Sequence, residues 1–399
     1  MTLHCLNALR VIAEFIVVSS HLRSMENNNK FSGSFGGATA LMSFFFVLSG
    51  FVATYSHTTN GAYHEYLAKR LKKTYPFYLF MWILGLPAYM VNIYTGHKGN
   101  CMTQRCIHLI MQPLCLESVL GWTLDGSNIP GWYYSTLVLI WALYSHIDVK
   151  RWIGNHPLPW ILVLYIASLL LNYPFFIFDG ASIQKMPFLH TFEFFMGCAA
   201  AVSVDQGILI RGEIPAILFI IYITYASCTV KWPHIWEHSV IDETKSCDFW
   251  QHQTHYSFAP GKLMTVTSIV WVFIIHWLAC SELREDANIA NKMLKLDIFK
   301  SLSKFSLHVY LSHTVTAVWL EEILRFFNIM DWFSKDFHVV FAYCTSYACS
   351  VHIQPRLDAL VANKDNNIVD QKEKENHYNM IDIAPKCVEN YINNTISNI

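Results

Sequence analysis

Charged side chains are scarce in this sequence. Only 14% of its 399 residues are Asp, Glu, Lys or Arg, whereas an ordinary soluble domain carries about 25%. Hydrophobic residues make up 53% of the chain, and they are grouped in blocks of about 20, the length of helix that spans a bilayer core. The shortage of charge and the block length together indicate an integral membrane protein rather than a soluble one.

The chain also lacks an excess of positive charge. Its formal net charge is −1, and no basic patch stands out along the sequence. Proteins that bind nucleic acids concentrate Lys and Arg to neutralise phosphates. We therefore expect no nucleic-acid partner.

Metal-binding patterns are missing as well. The 11 cysteines form no Cys-x-x-Cys pair, so we expect no metal site. Cys101, Cys106, Cys115 and Cys247 fall in segments predicted to face the outer side. Disulfides among some of them fit an oxidising exterior, but the sequence does not choose the partners.

Long apolar runs predict a polytopic all-α protein with about ten transmembrane helices in one bundle. Only helices can satisfy the backbone of such isolated spans in lipid. The predicted limits are 4–22, 38–55, 76–95, 131–147, 158–178, 188–204, 214–230, 262–281, 304–326 and 336–354. The apolar stretch Cys106–Leu120 is a candidate for a re-entrant or interfacial piece. We predict a membrane domain over residues 1–355 and a polar, mostly disordered tail over residues 356–399.

The distribution of Lys and Arg between the loops predicts the orientation. With a cytoplasmic N-terminus, the inner loops hold twelve Lys and Arg in about 64 residues, against ten in about 100 residues outside. The positive-inside rule therefore places both termini in the cytoplasm.

Beyond its first turn, the first span carries a cation, a carboxylate and an imidazole: Arg10, Glu14 and His21. Eleven residues of helix amount to three turns plus roughly 20°, so Arg10 and His21 share a face and lie about 16 Å apart along the axis. Ionisable groups inside membrane helices are costly and therefore functional candidates. The alternative is that Arg10 and Glu14 form an i,i+4 ion pair while His21 reaches the interface.

Six short segments occur in an order that resembles the acyltransferase-3 family of integral membrane acyltransferases, which acylate sugars and other acceptors. The segments are "LNALRVIAEFIVVSSH" with Arg10 and His21, "FFFVLSGF" (Phe44–Phe51), "KRLKKTYPFY", "PGWYYSTL", "HTFEFFMG" with Glu193 and Gly197, and "FSLHVYLSH" with Ser306, Tyr310 and His313. The resemblance covers residues 5 to 354. It departs from the family at Lys73, where an Arg is usual, around Thr136 and Leu137, where many members have a Glu, and at His190, where an Arg is common.

The resemblance implies transfer of an acyl group, with acetyl as the expected one, from cytosolic acyl-CoA to a hydroxyl of a carbohydrate or lipid-linked acceptor. No permanently bound cofactor is expected, since acyl-CoA serves as a co-substrate. We expect Arg70, Lys72 and Lys73 to hold the CoA phosphates at the inner mouth. The pantetheine arm would pass Arg10, and a neutral His21 would act as general base; a covalent acyl-histidine relay is a variant of this mechanism.

Glu14, Glu193, His313 and Tyr310 are further candidates for the site. For Glu193 and His313 the alternative to a site role is a structural hydrogen bond between helices. Two other functions stay open: a transporter or flippase whose cavity binds an ion or solute, and a catalytically silent relative with a binding role.

Overall fold

The computed structural model describes most of the chain up to residue 362. The described residues are 3–24, 37–56, 64–94, 102–120, 128, 130–178, 187–210, 212, 214, 215, 217, 218, 220, 221, 259–284, 296–328, 337 and 340–362. Within these ranges every regular element is helical, which confirms the all-α prediction. The helices are α1 (His4–Ser24), α2 (Gly37–Ser56), α3 (His64–Tyr94), α4 (Met102–Met111), α5 (Gly131–Tyr144), α6 (Val149–Ile153), α7 (Pro157–Phe178), α8 (Pro187–Asp205), α9 (Ala259–Leu283), α10 (Asp297–Ser303) and α11 (Ser306–Phe326), with a 3-10 turn at Glu117–Leu120 and a further helix over 340–350.

Nine of the ten predicted spans coincide with helices in the described part of the chain. The seventh span, 214–230, lies mostly outside the described residues. Among the described helices, Pro187–Asp205 alone is both long and apolar enough to cross a membrane. Shorter apolar helical stretches occur at Leu41–Ser56, Pro157–Leu171 and Thr267–Leu283. The number of membrane crossings stays a prediction.

The third helix begins earlier than the sequence predicts. The predicted span starts at residue 76, but α3 starts at His64 and continues through Pro76. A proline inside a helix removes one backbone hydrogen bond, and a long apolar helix packed on its neighbours tolerates that loss. The basic residues after His64 therefore lie on defined helix faces rather than in a loop.

Helices α2 and α8 form the centre of the bundle through two glycines. A Cβ atom at Gly50 would overlap the backbone carbonyl of Phe194, and a Cβ atom at Gly197 would overlap that of Val47. The two backbones are therefore in direct contact, as small residues allow between membrane helices.

The N-terminus of α1 is capped by a side chain from α9. The backbone N–H groups of His4 and Cys5 donate to the two carboxylate oxygens of Glu282, at 2.8 and 2.9 Å. The first N–H groups of a helix have no partner within the helix and carry its partial positive charge, so a carboxylate there is stabilising. This contact fixes the start of the helix that bears Arg10.

The segment after α4 packs against α3 and α5 through polar contacts. Tyr78 donates its hydroxyl to the carbonyl of Gln112 at 2.6 Å, and Ser135 donates to the carbonyl of Cys115 at 2.7 Å. Cys106 is exposed and Cys115 is buried, and both are free thiols. Cys101 and Cys247 lie outside the described residues, so no disulfide involving them is tested.

The chain divides into two compact units, residues 1–350 and 351–399. In the second unit, residues 351–362 are helical, and Gln354 donates to the Asp358 carboxylate at 2.7 Å. The first residues of the predicted tail, 356–362, are therefore helical, and the mostly disordered character of the tail stays a prediction. The rest of the tail lies outside the described residues.

Candidate functional site

A cavity of about 150 Å³ lies among helices α1, α2, α3, α5, α10 and α11. Along α2 its wall runs from Phe45 to Val52, and along α5 from Tyr133 to Trp141. Seven or eight residues of helix correspond to about 10 to 12 Å. The cavity is therefore elongated along the helix axes.

One end of the cavity, here called the basic end, carries positive charge. Arg70 and Lys73 of α3 lie there with Lys304, which directly precedes α11. Lys73 and Lys304 are exposed and Arg70 is half-buried, so this end opens outward. Arg10 of α1 also lines the cavity, within electrostatic range of Arg70.

None of the described residues that line this cavity is Asp or Glu. Four cationic side chains without a lining carboxylate repel one another and attract an anion. Convergent Arg and Lys side chains are the usual protein groups for phosphate recognition. The cavity therefore has the chemistry of a site for a phosphorylated ligand.

The Arg70 guanidinium is positioned by aromatic rings. It lies 5.1 Å from the ring centroid of Tyr66 and 5.9 Å from that of Trp141. Cation–π contacts of this kind hold a guanidinium in place without neutralising it. Arg70 thus keeps its charge and its planar set of donors for a ligand.

The other end of the cavity, here called the aromatic end, is formed by three rings. Tyr133 and Tyr310 lie edge to face with centroids 5.2 Å apart, and Phe45 lies 6.2 Å from Tyr133 and 6.5 Å from Tyr310. Tyr310, a candidate from the sequence, therefore does line the cavity. His313 lies one turn further on, and its Nδ1 is 2.6 Å from the carbonyl oxygen of Tyr310. This contact lies within α11, so the role of His313, catalytic or as a bond between helices, stays a prediction.

The three candidate residues of the first helix differ in how much of each the structure describes. Arg10, Glu14 and His21 all lie on α1, which keeps the distance of about 16 Å between Arg10 and His21 along the axis. Glu14 is 1% exposed, has Ser306 as its hydrogen-bonding neighbour, and has no partner for Oε1 among the described residues. The side chain of His21 lies outside what the structure describes, so its role stays a prediction.

Lys72 is exposed and does not line the cavity. It follows Arg70 by two residues, which places it about 200° around the helix from Arg70, whereas Lys73 is about 60° away. The sequence grouped the three cations because they are adjacent in the chain. Helix periodicity brings Arg70 and Lys73, but not Lys72, to the cavity wall.

Glu193 belongs to a separate buried network between α2 and α8. Ser43 donates its hydroxyl to Oε1 at 2.6 Å, and His190 Nδ1 lies 2.9 Å from Oε2. The His190 ring stacks on Phe46 with centroids 4.1 Å apart and planes 11° from parallel. Glu193 and His190 do not line the cavity.

Three residues of the cavity wall were missed as site candidates: Lys304, Trp141 and His308. Lys304 was counted only as a loop cation. His308 lies inside a predicted span, where an ionisable side chain is itself a signal of a functional site. Trp141 gave no signal in the sequence, because a Trp in an apolar helix has the pattern of an ordinary core residue.

Residues 3–353 match the model of the acyltransferase-3 family, described as an acyltransferase domain. The chain belongs to the acyltransferase-3 family. The match spans nearly the whole chain and includes every helix of the cavity wall, which confirms the resemblance carried by the six sequence segments. Membership of the family implies acyl transfer by a membrane-associated protein. Searches of curated proteins and of solved structures found no match.

Proposed function

We propose that this protein is a membrane-bound O-acyltransferase that moves an acyl group, most simply acetyl, from cytosolic acyl-CoA to a hydroxyl of a carbohydrate or lipid-linked acceptor. One observation carries the proposal beyond the family: the cavity with four cationic side chains and, among its described lining residues, no carboxylate. CoA carries a pyrophosphate and a 3′-phosphate, and these are the anions that such a site fits.

In this proposal the CoA phosphates bind at the basic end. Arg70 supplies a planar fork of donors, Lys73 supplies a point charge, and Lys304 adds a second lysine that the sequence did not single out. Lys72, exposed on the same helix, would contact the donor only outside the cavity. The pantetheine arm then lies along the cavity beside Arg10.

The chemical step is assigned to His21. A neutral imidazole at this position would take the proton of the acceptor hydroxyl. The hydroxyl oxygen would attack the thioester carbonyl, the carbon–sulfur bond would break, and CoA would leave as the thiolate. Glu14 of α1 lies beside Ser306 of α11, and the later residue Val18 packs near the later residue Ala317. Both contacts advance along the two chains together, so α1 and α11 run in the same direction. His21 therefore lies farther along the bundle than Arg10, as transfer to an acceptor from the opposite side requires.

A bilayer environment is supported by the outer face of α7. Leu162, Val163, Ile166 and Leu170 expose 45 to 68% of their surface. A soluble protein rarely exposes such a continuous apolar face, whereas lipid covers it at no cost. In this proposal the basic end of the cavity faces the cytoplasm, and both termini lie in the cytoplasm as the positive-inside rule predicts.

Acetyl transfer in isolated membranes tests the function. Labelled acetyl-CoA is supplied with membranes that contain the wild type or a variant, and label in the acceptor fraction is measured. Removing Arg70 deletes charge-assisted hydrogen bonds worth about 1.5 to 3 kcal/mol, so Arg70→Ala is expected to raise the KM for acetyl-CoA roughly 10-fold to 100-fold. Arg70→Lys should give an intermediate value, since it keeps the charge and loses the fork.

Lys69 offers a matched control. It belongs to the same basic segment but is exposed and pairs with Glu65 at 2.6 Å, so Lys69→Ala should leave the KM unchanged. His21→Ala should abolish turnover while leaving donor binding intact. Unchanged turnover in both His21→Ala and Arg10→Ala would refute the mechanism.

A further inference from the structure

Two ring systems in the cavity wall contain buried nitrogen atoms with no hydrogen-bonding partner among the described residues. His308 and Trp141 are each 3% exposed. Both ring nitrogens of His308 and the Nε1–H of Trp141 are unpaired. A buried polar group left unpaired costs about 1 to 3 kcal/mol, and such groups are rare in native proteins.

Both rings are fixed by ring contacts rather than by hydrogen bonds. His308 lies edge to face with Phe77, with centroids 4.9 Å apart and planes at 89°. Trp141 lies edge to face with Tyr134 at 6.1 Å and carries the Arg70 guanidinium over its own ring. The side chains are therefore held in place while their nitrogens stay without partners, and both line the same cavity.

The surrounding charges indicate what kind of ligand would satisfy these nitrogens. Arg70 lies beside Trp141, and Lys73 is within electrostatic range of His308. The indole nitrogen is a donor only, and an imidazole offers at least one N–H donor in either protonation state. A ligand that is both anionic and rich in acceptor oxygens can pair with the cations and accept hydrogen bonds from the N–H groups at the same time. A phosphate group has both properties.

We propose that His308 and Trp141 are ligand-contacting, specificity-determining residues of the donor site, where their N–H groups donate to phosphate oxygens of acyl-CoA. This inference rests on the proposed function and deepens it. The lysines attract any anion, whereas two directional donors held at fixed positions select an anion with phosphate oxygens at the matching places. The stability lost to unpaired nitrogens in the empty cavity is recovered when the ligand binds.

A structural role and a ligand-binding role predict opposite effects on stability. If the two nitrogens only support the fold, replacing them should destabilise the ligand-free protein. If they serve a ligand, replacing each ring by Phe removes an unpaired polar atom and keeps the aromatic contacts. The ligand-free protein should then be as stable as the wild type or more stable.

The experiment measures Tm and ligand affinity on the purified full-length protein in detergent. The ligands are CoA and, separately, inorganic pyrophosphate, both titrated by calorimetry. We expect His308→Phe and Trp141→Phe each to weaken CoA binding at least about 10-fold and to leave the ligand-free Tm unchanged or raised. His308→Gln, which retains an N–H donor, should recover part of the affinity. Trp152→Phe, at a ring 42% exposed on α6, should change neither quantity.

The outcomes separate this inference from the proposed function. If the wild type binds CoA and both Phe variants bind it equally well, the inference is wrong and the proposed function stands. A fall in ligand-free Tm without a change in affinity also overturns the inference. If the wild type binds pyrophosphate but not CoA, and the variants weaken that binding, the acyl-CoA function fails while the phosphate contacts stand. Binding of neither ligand overturns both.

Discussion

Glu193 shows how a single carboxylate can join two helices of this bundle. Its side chain is 2% exposed, and its two oxygens are occupied by Ser43 of α2 and His190 of α8. A buried carboxylate is tolerated only when it is paired and hydrogen-bonded. The geometry therefore favours a structural role for Glu193 over a catalytic one, and places it at the glycine-packed contact between α2 and α8.

We predict that Glu193→Gln lowers stability more than it changes donor binding. An amide can accept at one oxygen only, so one of the two donors loses its partner, at a cost of about 1 to 3 kcal/mol. The expected result is a lower Tm with a KM for acetyl-CoA close to the wild-type value. Thr191→Ala is the control, because this hydroxyl bonds to Pro187 within its own helix. A normal Tm combined with lost turnover would instead make Glu193 catalytic.

The residues of the cavity divide into those that the sequence predicts and those that it does not. Arg10, Arg70, Lys73 and Tyr310 could be predicted because they are charged or belong to a family segment. Trp141 could not, since its importance depends on the missing partner of one nitrogen atom. A sequence pattern indicates that a side chain is buried, but whether its polar atom is satisfied depends on packing between helices that are distant in the chain.

At the scale of the helices, the hydrophobic blocks of the sequence predict where the helices lie, but they predict the helix ends less accurately. Helix α3 begins twelve residues before the predicted start at residue 76, because amphipathic basic turns continue the helix without adding to its hydropathy. The segment from Cys106 to Leu120 has the composition of a re-entrant piece. Its turn at Cys115, with φ of 56°, is fixed by contacts with α3 and α5. Those contacts are tertiary, and local composition does not predict them.

The packing of this segment predicts different reactivities for its two cysteines. Burial, together with the nearby Glu117 carboxylate, raises the pKa of the Cys115 thiol to about 12. The thiolate is the reactive form, so Cys115 should resist alkylation from neutral pH to about pH 10, whereas exposed Cys106 should react. The measurement is mass-spectrometric mapping of iodoacetamide labelling in the folded protein.

Unfolding in denaturant provides the control for the labelling experiment, since Cys115 should then react like Cys106. Rapid labelling of Cys115 in the folded protein at pH 8 would show that the segment does not pack on α3 and α5. A Cys106→Ser variant isolates the signal of Cys115 among the peptides of this segment.

At the scale of the whole molecule, the fold brings six helices together around one charged cavity. These helices start far apart in sequence, from His4 in α1 to Ser306 in α11, and each contributes few charged residues. Positions 73 and 137, where the chain departs from the usual family residues, both line the cavity. These two departures therefore lie where they would alter which donor is bound. The third departure, His190, lies instead in the buried network of Glu193 between α2 and α8.

The family and the all-α architecture could both be read from the sequence, because they depend on short segments and on hydropathy. The shape of the site could not, because helix periodicity and interhelical packing decide which members of a basic cluster face inward. Lys72 and Lys73 are adjacent in sequence, yet Lys73 alone of the two lines the cavity.

The central claim is that acyl-CoA binds in this cavity with its phosphates at the basic end, and a structure of the protein with bound CoA tests it most directly. We predict ligand density between α1, α3, α5 and α11, with phosphate oxygens within hydrogen-bonding distance of Arg70 and Lys73 and the pantetheine arm passing Arg10. CoA bound elsewhere, or an empty cavity at saturating CoA, would contradict the account.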